Sequence, residues 1–155
     1  MQALKYRVDK NHYKDTANRL NLIKIMDISI DDLYASEWQL DKSGTKQVKI
    51  LDSTIYKAVK KIENDEDEAK VIYKNYGETI FLYNNYRIRK PWLTDFTRLK
   101  NLYYSVKENG YDQNCLIQIG IVKNKYEIID GHHRASVIRY INGSIIIPTV
   151  FCKEK

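Results

Sequence analysis

Cysteine is scarce in this chain: Cys115 and Cys152 are the only two, and they share no CxxC spacing. A scaffold built on disulfides is thereby excluded, and a reducing, cytoplasmic setting is the expectation. Long apolar runs are missing as well. None reaches the length of a membrane span, so no membrane partner is expected. The opening stretch MQALKYRVDKNHYKDTANRL has no apolar core of the kind a secretory leader needs. Internal repeats are absent too, so a repeat architecture is not expected.

What remains is ordinary globular material. The 155 residues are 43% hydrophobic and 30% charged, enough for one domain with a real core and too apolar for disorder. The net charge of +6 favours an anionic partner, whether nucleic acid, nucleotide, phosphorylated metabolite or acidic surface. The acidic block ENDEDE at 63–68 runs against that trend and reads as a solvated helix end or loop.

Along the chain, residues 1–20 read as a polar, basic arm. Ile23, Ile25 and Ile28 nearly alternate, which predicts a strand over 21–30. Residues 31–45 read as a turn or short helix followed by a loop, broken at Ser43-Gly44. Ile55, Val59 and Ile62 predict a helix over 53–77, with Gly77 as its stop. Residues 78–92 alternate and carry aromatics, which predicts a strand or hairpin ended by Pro91.

The clearest helix is 94–110. Thr94 or Asp95 can cap it, Phe96, Leu99, Leu102, Tyr103 and Val106 form its apolar stripe, and Gly110 suits its end. Strands follow at 116–122 and 125–130 across a Lys123-Asn124 turn, then a helix over 132–141 and a last strand over 144–151. The order predicts an α+β domain around one small mixed sheet flanked by helices.

The chemistry concentrates where the strand YEIID meets the helix, in Asp130-Gly131-His132-His133-Arg134. Gly131 lets the backbone turn sharply. The helix that follows presents unbonded amides at the positive end of its dipole, where phosphate and carboxylate bind. Arg134 adds a bidentate clamp for an anion, and the two histidines add donors that can titrate. Asp130 can hold a metal-bound water, accept a substrate proton or cap the helix. Zinc is not expected, because no third and fourth ligand stands at a recognised spacing.

A second constellation is YNNYRIRKPW at 83–92. Its Tyr83, Tyr86 and Trp92 interleave with Arg87, Arg89 and Lys90, so bases could stack while phosphates pair with the cations. An exposed hairpin with a cationic solvent face explains the same residues.

The segments SVKENG (105–110), IIDGHHR (128–134) and IPTVF (147–151) fill the places of a known pattern, and IMDISIDDLYASEWQ (25–39) fits its opening strand and turn. On these residues the chain resembles the ParB/sulfiredoxin superfamily over 21–155, with an insertion at about 46–92. Sulfiredoxin activity is not expected, because His132 stands where those enzymes need a cysteine. Nor is a full chromosome-partition protein, whose box is richer in arginine and whose further segments follow the last strand. The loop is most similar to that of the free-serine kinases. That resemblance implies phosphoryl transfer from ATP or ADP to a serine-like or sugar hydroxyl, with Mg²⁺. In this reading Gly131, His132, His133 and Arg134 hold phosphates, Glu37 or Asp130 serves the acceptor hydroxyl, and Asp130 reaches the metal. The competing expectation is a module that binds nucleic acid, through Tyr86, Arg87, Arg89, Lys90 and Trp92, or binds CTP, without phosphotransfer.

Overall fold

Strong β-formers set the sheet, and among the described residues four helices pack against it and against one another. In the computed structural model the described residues are 20–38, 44–84 and 96–154. The order is β1 (Leu20–Ser29), a 3-10 turn (Ile30–Asp32), β2 (Leu33–Trp38), β3 (Thr45–Lys49), a second 3-10 turn (Ile50–Asp52), α1 (Thr54–Lys61) and α2 (Glu66–Asn84). Then come α3 (Phe96–Asn109), β4 (Ile117–Val122), β5 (Lys125–Asp130), α4 (His132–Asn142) and β6 (Ile146–Glu154). The fold is α+β with one mixed sheet, ordered β1-β6-β4-β5-β2-β3.

Strands β4 and β5 form a tight hairpin whose Lys123 and Asn124 both have positive φ, at 52° and 62°. Those angles give the turn a twist that matches the flanking strands. Two pairings are parallel, β2 with β5 and β4 with β6. Strands β1 and β2 stand four places apart in the sheet, about 19 Å on a flat surface, while the chain from Ser29 to Leu33 reaches about 14 Å at most. The sheet therefore curls strongly.

One core lies between the sheet and the helices, where Ile117, Ile119 and Ile128 meet Ala135 and Ile138 of α4. A second joins the helices, with Ile55, Val59, Tyr73, Leu99 and Val137 at its centre. The sheet's other face carries a smaller cluster of Leu116, Val150 and Cys152.

Three sequence expectations are corrected. Residues 33–38 and 45–49 are strands, where a turn and loop were expected; Leu33 and Ala35 alternate with half-buried neighbours over too short a run to stand out. The helix expected over 53–77 is two. Asp65 breaks it, its Oδ1 accepting from the Glu68 amide at 3.1 Å and so capping α2. Gly77 does not stop α2, which runs on to Asn84 in place of the strand expected from 78; the glycine is buried inside the helix. Residues 85–92 lie outside the described residues, as do the arm up to residue 19 and the caps proposed at Thr94 and Asp95.

The acidic block forms the end of the α1–α2 turn and the first turn of α2. Glu66 pairs with Lys100 at 2.6 Å and Glu68 with Lys61 at 3.3 Å, while Glu63 accepts from Lys107 and from the Tyr103 hydroxyl. Carboxylates at a helix N-terminus also complement its dipole. Among the described residues no helix is long and apolar enough to cross a membrane.

Candidate functional site

The β5–α4 turn has the local structure its sequence dictates. Gly131 sits at φ 111°, ψ 19°, as the N-cap of α4. An L-residue is strained there, and a Cβ would lie 3.1 Å from Ile117 Cγ1 and 3.2 Å from Arg134 Nη2. The first intrahelical bond runs from the Ala135 amide to the Gly131 carbonyl at 2.9 Å. The amides of His132, His133 and Arg134 precede it, at the positive end of the helix dipole. The N-cap position is taken by Gly131, which has no side chain to cap with.

Arg134 turns back toward the sheet. Its guanidinium donates to Cys115 Sγ and, at 3.3 Å, to the Leu116 carbonyl, and Asp130 Oδ2 lies 4.0 Å away. These contacts tie the start of β4 to the start of α4 and use two of the five guanidinium donors. The Asp130 charge also acts on Cys152. Burial first, and then the Asp130 charge, push that thiol up to about 11.

The two histidines differ. Nε2 of His132 is buried and has no hydrogen-bond partner among the described residues. Burial, and then the neighbouring His133, push its pKa down to about 3, so this ring is neutral at physiological pH. His133 instead meets α2, where Tyr73 Oη lies 2.8 Å from its Nε2 and the rings pack edge-on, centroids 5.6 Å apart.

Ser136 shares the α4 stripe of His132, one turn on. It is fully buried, and its Oγ likewise lacks a partner among the described residues. Further along that stripe, Arg139 Nε donates to Asp31 Oδ1 at 2.7 Å, just before β2. The hydrogen bond from Ser144, then Arg139, hold the Asp31 carboxyl below the usual range against the opposing effect of burial.

Glu37 lies on β2. Leu33 pairs with Tyr126 and Tyr34 with Glu127 of β5, and Glu37 pairs with Lys46 of β3. Its carboxylate accepts from the amide of Thr54 and, at 3.2 Å, from the Thr54 hydroxyl. Glu37 therefore places a negative charge at the N-terminus of α1, where the helix dipole favours it.

The fold thus brings Asp130, Gly131, His132, His133 and Arg134 into one turn, while Glu37, on β2, is engaged with Thr54 at the start of α1. Tyr86, Arg87, Arg89, Lys90 and Trp92 lie outside the described residues. Sequence reasoning missed Tyr73, which stands 60 residues from its partner and carries no local signal. It also missed the Cys115–Arg134 contact, although the cysteine was in view. Among the described residues no group of three or more His, Cys, Asp or Glu side chains could hold a metal ion. No family model, curated protein or solved structure matches the chain.

Proposed function

We propose that the β5–α4 turn binds the phosphates of a nucleotide and that the protein is a kinase acting on the hydroxyl of a serine-like or sugar metabolite. The observation that carries the reading is the turn itself. A strand ends in a left-handed glycine and opens at once into an 11-residue helix, whose N-terminus carries the positive end of the helix dipole. The buried, unpartnered Nε2 of His132 beside it supports a polar ligand. The resemblance of DGHHR to the free-serine kinase loop points the same way.

Phosphoryl transfer asks a protein for positioning and charge neutralisation more than for covalent chemistry. The amides of His132 and His133 would hold the phosphates of ATP or ADP, and Arg134 would fix the shape of the turn and lend its remaining donors. The acceptor oxygen bonds to phosphorus as the bond to the leaving nucleotide oxygen breaks. Its proton passes to Asp130 or Glu37. Asp130 would be the carboxylate that holds a Mg²⁺ at this turn. Bound there, Mg²⁺ would neutralise charge on the phosphates.

The test is a thermal-shift panel of ATP, ADP, CTP and oligonucleotides with Mg²⁺, followed by nucleotide consumption against amino acids and sugars. Stabilisation by ATP or ADP and turnover stimulated by one hydroxylated metabolite would support the kinase. Stabilisation by CTP alone, or salt-dependent stabilisation by oligonucleotides, with no stimulated turnover, would replace it with a binding module.

A further inference from the structure

A side chain from α2, far away in the sequence, reaches the turn. Tyr73 is 1% exposed, so its hydroxyl depends on protein partners, and it lies 2.8 Å from His133 Nε2. The phenol is held on several sides. Its ring meets Phe96 at 61° with centroids 6.2 Å apart, stacks on Tyr76 at 6.3 Å, and stands at 79° to the imidazole. A ring packed this way has little freedom to swing, so it constrains the imidazole that it touches.

The chemistry of the contact decides what the histidine can offer. A phenol that donates to Nε2 requires the ring proton to sit on Nδ1. His133 is the second residue of α4, among the amides that precede the first intrahelical bond. A fixed Nδ1–H would add a side-chain donor to that set.

We propose that Tyr73 is the positioning residue of this turn: its hydroxyl donates to His133 Nε2 and holds the imidazole as the Nδ1–H tautomer, the form in which the other ring nitrogen is a donor toward an anion. The inference rests on the phosphate reading of the site and deepens it by making α2, inside the segment read as an insertion, part of the binding apparatus. A purely structural Tyr73 would fill space equally well without its hydroxyl.

The test uses the full chain with ¹⁵N-labelled histidine and the variant Tyr73→Phe, which keeps the ring and removes the donor. In the wild type, the His133 ring nitrogens should show a protonated Nδ1 and an unprotonated, hydrogen-bonded Nε2. In Tyr73→Phe they should shift toward a tautomer mixture, and ATP affinity should fall roughly tenfold, the upper range for one hydrogen bond. A protonated Nε2 in the wild type overturns the proposal, and that measurement stands even if the variant folds poorly. So does a folded Tyr73→Phe whose ATP affinity and ring signals match the wild type. A wild type with the stated tautomer that binds neither ATP nor ADP refutes the phosphate reading, while the hold of Tyr73 on the ring survives.

Discussion

Replacing Gly131 with alanine should damage this molecule more than any other glycine-to-alanine change for which the geometry is known. Two costs add. The backbone sits at φ 111°, where a Cβ is strained by about 1–3 kcal/mol. The new methyl would also stand 3.1 and 3.3 Å from two Ile117 atoms and 3.2 Å from Arg134 Nη2. Ile117 is 2% exposed, so little room exists for it to yield, and overpacking of this kind costs about 1–3 kcal/mol. The sum is about 2–6 kcal/mol, which moves a urea midpoint by about 1–3 M at a slope near 2 kcal/mol per molar. Gly110→Ala is the control. It has positive φ, 77°, but nothing within 4 Å of the new methyl, so it should cost only the backbone term, about 1–2 kcal/mol. Urea unfolding followed by far-UV circular dichroism measures both. Gly131→Ala no less stable than Gly110→Ala would refute the reasoning, because the steric term would then be absent.

Protonation of His132 should make stability fall in mild acid. The unfolded chain takes up the proton near 6.5 and the folded chain only near 3, so this contribution is complete above pH 6.5 and declines as pH drops toward 3, by about 1.4 kcal/mol per unit. His132→Gln should flatten that part of the pH–stability curve, and an unchanged slope would count against a buried neutral ring. Glu37→Gln should cost about 1 kcal/mol through the weakened contact with Thr54. If Glu37 also serves as the base, turnover should fall by about 10²–10⁴-fold with nucleotide affinity kept; turnover at the wild-type level would assign Glu37 to the helix cap alone. Cys152 is 3% exposed and its thiol is pushed up to about 11, so a maleimide at neutral pH should label half-buried Cys115 alone until urea is added. Equal labelling rates for the two thiols in the folded protein would contradict that burial.

The C-terminal half was legible because local rules agreed there. Alternating apolar residues made β4 and β5, Lys123-Asn124 made their turn, and Gly131 opened α4 as the sequence suggested. The middle was not, for three separate reasons. Asp65 interrupted a stripe that otherwise looked continuous, and Gly77 sat inside α2 although glycine usually marks an end. β2 and β3 were short and took their stability from pairing with each other, a non-local fact. The site divided in the same way. The residues of the turn are consecutive and could be read together, whereas Tyr73 and Thr54 joined them only through tertiary packing. Arg134 shows the limit of reading residue types: its charge suggested a free anion clamp, but its side chain is turned to Cys115 and Leu116.

The most direct test of a phosphate site at this turn is an amide ¹H–¹⁵N titration of the full chain with ATP and ADP in the presence of Mg²⁺. The account predicts saturable shifts that are largest at the His132, His133 and Arg134 amides, whose N–H groups precede the Ala135–Gly131 bond. Saturable shifts centred elsewhere, with these three amides unmoved, or no saturable shift at all, would contradict it.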